Sequence, residues 1–200
     1  GGLRIDRNDF TTDGRSFLKT LSPRLSLSYL ISDHWTASLS AGRYFKIPPY
    51  TILGFADNNG VAVNKNVQYL RSDHITGGIE FMPGEATRFT LEGFYKNYNN
   101  VPISKRDGIS LSNLGGDFNV LGNEAVETTG KGKTYGFEFF AQQKLTRRFF
   151  AIFSYTFFSS RYSGLDNQLV ASSWDSKHLL SLTWGYKFKK NWELGLKFRF

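Results

Sequence analysis

The tripeptide Ser-Asp-His occurs twice, at 32–34 and 72–74, and a third histidine stands at 178. Serine, aspartate and histidine together could activate a nucleophile, and His with Asp could hold a metal ion. Neighbouring residues on a strand point to opposite faces, so neither tripeptide makes a site as a unit. Three dispersed histidines form no ligand cluster. Both copies read as turn or strand-end residues, and no catalytic residue, metal or cofactor is expected. "GKGKT" (130–134) has the look of a phosphate-binding loop. That motif needs a glycine five residues before Gly132, where Glu127 stands, and it opens a helix rather than a strand. No nucleophile converges with a histidine, which argues against an outer-membrane hydrolase.

The elements that carry these residues are strands. Of 200 residues, 16% are aromatic and 21% charged, with 20 Gly and no Cys. The mean hydropathy of -0.35 leaves no run apolar enough for a membrane helix. A membrane β-barrel stays open, because only alternate residues meet lipid. The net charge of +8 is scattered singly along the chain, with no recognition motif, so no nucleic-acid partner is expected. Period-2 alternation predicts strands over 3–10, 22–31, 35–45, 71–82, 87–98, 133–145, 149–162, 175–188 and 192–200. The last, "WELGLKFRF", sets Trp192, Leu194, Leu196, Phe198 and Phe200 against Glu193, Lys197 and Arg199.

Connections after the second, fourth, sixth and eighth segments are tight: "SDH", "PGEA", "TRR" and "KKN". Those after the first, third, fifth and seventh are long: 11–21, 46–70, 99–132 and 163–174. An up-and-down sheet then has all tight turns on one rim and all long loops on the other, as outer-membrane barrels do. Trp35, Tyr44, Phe188 and Trp192 lie at strand ends and are expected in aromatic girdles at the lipid boundaries. Arg24, Glu80, Arg88, Glu92, Lys96 and Glu138 fall opposite the apolar faces and are expected on a polar lumen wall, most of them as a lattice of mutually satisfied charges. Specificity is expected in the long loops, with Tyr50, Phe55, Asp57, Asn58, Tyr69, Asp117, Trp174 and Asp175 as candidate solute contacts. The rival reading of the loop aromatics is packing of loop on loop.

The stretches 21–51, 130–160 and 172–198 resemble barrel hairpins of TonB-dependent receptors of the Bacteroidetes type. The likeness runs over nearly the whole chain. It implies an all-β, antiparallel transmembrane barrel in the Gram-negative outer membrane, of which residues 1–200 are about nine strands out of about 22. The last segment rises from a tight turn and the count is odd, so we expect an arc of a larger barrel. The resemblance further implies active import of a large scarce solute: an iron chelate, cobalamin, an oligosaccharide or a peptide. The implied partners are outer-membrane lipid, the receptor's own plug domain, the TonB complex acting through an N-terminal region, and a surface lipoprotein. A small non-transporting barrel for adhesion or anchoring, and a soluble β-rich binding module, are the competing readings.

Overall fold

In a computed structural model, residues 1–11, 13–114 and 121–200 are described. The strands are β1 (Gly2–Arg4), β2 (Ser22–Ser32), β3 (Trp35–Lys46), β4 (Leu70–Gly84), β5 (Thr87–Ser104), β6 (Val126–Thr146), β7 (Phe149–Ser163), β8 (Leu169–Ala171), β9 (Lys177–Lys187) and β10 (Glu193–Arg199). They form one antiparallel sheet ordered β1-β2-β3-β4-β5-β6-β7-β9-β10, with β8 paired to β7, and the sheet is not closed. Apart from the β7–β9 pair, which bypasses β8, each strand pairs only with its chain neighbours, as tight turns and antiparallel hairpins require.

Two faces result. Tyr29, Ala37, Ile79, Leu91, Phe139, Tyr155 and Leu180 lie side by side in one cross-strand row. One residue along each strand, the opposite face carries Ser28, Ser38, Gly78, Glu92, Glu138 and Thr156. The apolar face is bare: Tyr29 is 71% and Ile79 44% exposed. A soluble sandwich would cover that face with a second sheet. Here the buried apolar residues Ile52, Val67, Leu111 and Val126 cluster instead among the long loops. Their packing is tied by Asn64, whose side-chain amide donates to the Ile52 and Glu124 carbonyls, both at 2.8 Å. Its Oδ1 accepts the Val126 N–H at 3.0 Å.

Some boundaries differ from the periodicity. The first segment is a strand only over Gly2–Arg4. Beyond it, the Thr20 hydroxyl accepts the Asp6 N–H at 3.0 Å and donates to the Asp6 carbonyl, holding the chain in a loop. β5 and β6 run further than alternation indicates, to Ser104 and from Val126, through register shifts around Val101. Pro102, which has no N–H to give, sits in that irregular stretch. The 163–174 connection contains the short strand β8.

Trp35 stacks on Phe81 with ring centroids 4.4 Å apart, and Phe188 packs edge-on against Tyr186 at 4.8 Å. Both, with exposed Trp192, belong to the apolar face at the tight-turn rim. Tyr44 does not share that placement. Trp35 and Leu39 fix the odd positions of β3 on the apolar face, so Tyr44 turns to the polar one. There the Arg24 guanidinium lies 4.3 Å above its ring.

Candidate functional site

At the long-loop end of the polar face, Tyr44, Ser72, Tyr98, Gly132 and Tyr162 form one cross-strand row. Arg24, Gly42, His74, Lys96, Thr134 and Ser160 form the next. Ring centroids are 4.6 Å apart for Tyr44 and His74, 6.3 Å for His74 and Tyr98, and 5.4 Å for Tyr98 and Tyr162. Arg24 caps one end of this ladder, and Lys96 stands within it, its ammonium 5.3 Å from the Phe94 ring. Such a surface offers π-faces to planar or apolar groups and cations to anionic ones.

Ser72 and His74 are hydrogen-bonded, Oγ to Nε2, at 2.6 Å. Asp73 points through the sheet to the other face, where Arg43 holds it at 2.6 Å and Arg71 at 3.3 Å. The alternation of the strand therefore pairs serine with histidine and removes the aspartate, and no triad forms. In the 32–34 copy, the His34 N–H points to Ser32 Oγ at 3.4 Å within the β2–β3 turn.

The charged residues expected on the lumen wall all lie on the polar face. Arg88 Nε meets Glu80 at 2.5 Å, and Glu138 accepts from Thr156 at 3.3 Å. Glu92 is registered directly opposite Glu138. A cavity of about 300 Å³ lies among Ser28, Ser38, Glu80, Arg88 and Glu92.

The loop candidates separate. Tyr50, in the short helix α1 (Tyr50–Leu53), is 73% exposed and meets Phe10 edge-on at 6.3 Å. Trp174, 59% exposed, borders a cavity of about 240 Å³ with Pro48, Pro49, Ile52, Pro102 and Leu111. Lys46, two residues beyond Tyr44 on β3, lines the same cavity. Tyr69 is 6% exposed, its hydroxyl accepting from Asn8 at 2.7 Å, which removes it from solute contact. Asp57 accepts the Asn59 and Val61 N–H groups, both at 2.9 Å, shaping its own turn. Asp175 accepts the Ser160 N–H at 2.8 Å and anchors its loop to β7. Phe55 is half-buried, Asn58 is exposed, and Asp117 lies outside the described residues.

The profile of the family described as TonB dependent receptor-like, beta-barrel, matches residues 1–200. The chain belongs to that family. The solved ferripyoverdine receptor of the outer membrane of Pseudomonas aeruginosa is similar over 90% of this chain and 22% of its own, with 20% identity and a TM-score of 0.64. The ferric-catecholate import receptor Fiu from E. coli K12 gives 14% identity and a TM-score of 0.66, over 90% of this chain and 24% of its own. The copper transporter OprC matches at 14% identity with a TM-score of 0.62, over 90% of this chain and 26% of its own. No curated protein sequence matches. The chain thus spans about a quarter of these receptors' length, and the match is to the family as a whole.

Within the TonB-dependent receptor fold, the bare apolar face meets outer-membrane lipid and the polar face is lumenal. Sequence reading missed the ladder of Tyr44, His74, Tyr98 and Tyr162. Each is an aromatic residue on the polar side of its strand, which is a usable signal. Their adjacency depends in part on the β3–β4 and β5–β6 registers, set across long loops, which no local pattern encodes.

Proposed function

We propose that this chain is part of the barrel wall of an active outer-membrane transporter that imports a large scarce solute. The aromatic and cationic ladder at the outer end of the lumenal face carries this reading, since it combines ring faces with Arg24 and Lys96 where incoming solute first meets the wall. Metal chelates with planar anionic ligand groups suit it better than neutral glycans do. The likeness to receptors whose names specify ferripyoverdine and ferric catecholate supports that ordering over cobalamin, oligosaccharide or peptide. The lower wall, with Glu80, Arg88, Glu92 and Glu138, would face the receptor's own plug domain. Energy would come from the TonB complex engaging a region outside these residues, and a surface lipoprotein would be an accessory partner. Trp174, Tyr50, Phe55 and Asn58 would provide solute contacts from the loops.

The test is uptake by cells carrying or lacking the full gene, with labelled ferric siderophores, cobalamin and oligosaccharides offered separately. Uptake of an iron chelate that needs both the gene and an intact TonB system supports the reading. Unchanged uptake of every class in the deletion strain would refute it.

A further inference from the structure

Tyr98 and Tyr162 stand on strands that do not pair with each other. β6 runs between β5 and β7, and both tyrosines are registered to the same residue on it, Gly132. Their backbones are therefore about 10 Å apart, two strand spacings. Their ring centroids, however, are 5.4 Å apart, with the planes at 45°. The glycine accounts for the difference. A Cβ at 132 would stand 2.4 Å from Tyr162 Cε1, so the Tyr162 ring leans across β6 and fills the place of the missing side chain. Both tyrosines are half-buried. Among the described residues, the other tyrosine rings in aromatic contact meet histidine or phenylalanine. Only Tyr98 and Tyr162 bring two phenols together in this way.

We propose that Tyr98 and Tyr162 are an oxidative cross-linking site, joined as a dityrosine by hydroxyl radical made from peroxide and ferrous ion. Ferrous ion gives one electron to peroxide, leaving ferric ion, hydroxide and a hydroxyl radical. Each phenol gives a hydrogen atom, proton and electron together, to one hydroxyl radical, which leaves as water. The two phenoxyl radicals join through the ring carbons beside their oxygens. The hydrogen on each of those carbons then moves to the oxygen, and both rings become aromatic again. In sum, two phenols and two hydroxyl radicals give one dityrosine and two waters, with one new C–C bond. Two features of the wall favour coupling over separate loss of the radicals. Sheet register fixes both backbones, so the rings meet without movement of any loop. Gly132 places no side chain between them. The new bond staples β5 to β7 across β6 and holds the Tyr98 ring where it lies, whichever solute the receptor imports.

The experiment uses the full-length receptor in detergent, treated with ferrous ion and hydrogen peroxide and with no solute present. Oxidant is raised until Tyr98 or Tyr162 has reacted. Monomer is recovered from a denaturing gel, digested with trypsin and read by tandem mass spectrometry. Cleavage after lysine and arginine isolates Tyr98 in peptide 97–105 and Tyr162 in peptide 162–177, each with a single tyrosine. The expected product is these two peptides joined, with two hydrogen atoms fewer than their sum and with dityrosine fluorescence in the same fraction. Tyr98→Phe and Tyr162→Phe should each abolish it while keeping a ring to pack. Tyr155→Phe, on the outward face, should leave its yield unchanged. Recovery of the two peptides unjoined, with oxygen added to either tyrosine, would overturn the proposal in wild type alone, whether or not the variants fold. So would an equal yield of joined peptides from receptor unfolded before treatment, since the contact in the fold would then be irrelevant. Solute uptake plays no part in the readout, so failure here is distinct from failure of the import reading.

Discussion

Gly132 lies under the ring of Tyr162, so close that a Cβ at 132 would stand 2.2 Å from the ring's Cδ1. The pair closes one end of the aromatic ladder. Gly132→Ala must push the ring away. We expect a loss of stability of about 1–3 kcal/mol, the usual cost of overpacking, read as the urea midpoint of refolding into vesicles. Gly93→Ala is the control, because its Cβ would meet nothing nearer than 4.0 Å.

Tyr98 touches both His74 and Tyr162 through its ring. In the full receptor, Tyr98→Ala should weaken binding of the imported solute by roughly threefold to tenfold, the scale of one aromatic contact. Tyr98→Phe should retain most of it. Titration of purified receptor with solute by fluorescence quenching measures both, and equal losses would point to the hydroxyl rather than the ring.

Leu39 and Ser38 are adjacent and face opposite sides of the wall. Leu39→Arg should cost about 2–4 kcal/mol if it lies near the bilayer midplane. Ser38→Arg, beside Glu92 and Glu80 in the lumenal cavity, should cost far less. Refolding midpoints of the two variants check the assignment of faces directly, and a reversed order would invert the wall.

The Glu80–Arg88 pair is 2.5 Å long, yet the arginine side chain is 48% exposed. Arg88→Gln should therefore change stability by less than about 1 kcal/mol, as exposed ion pairs do. Its heat-modifiable gel mobility should match that of wild type.

In the loop after β5, a hydrogen bond from Arg106 holds the Asp107 carboxyl below its usual range. The pairing is then complete at neutral pH and is lost only as pH falls through that lowered value. Arg106→Ala should raise the Asp107 midpoint in a carboxylate NMR titration.

Much of the wall is legible in the sequence. Leu25, Leu27 and Tyr29, or Phe137 and Phe139, declare a lipid-facing side by spacing alone, and "SDH", "TRR" and "KKN" declare the tight rim. Tyr44 was misread because an aromatic residue at a strand end is expected in a girdle; counting from Trp35 would have put it inside. Tyr69 and Asp175 were read as solute contacts from residue type. Their partners, Asn8 and the Ser160 N–H, lie 61 and 15 residues away. The ladder as a whole needs the β3–β4 and β5–β6 registers, which long loops conceal.

Asn64 has one mechanical consequence. It fastens the chain around Ile52 to that around Glu124 and Val126 through three hydrogen bonds, with only 2% of the residue exposed. Neither stretch can swing alone without breaking a buried amide's partners. Two stretches of chain, brought together from either side of a 60-residue separation, are thereby fastened into one unit, and a displacement of one must carry the other with it.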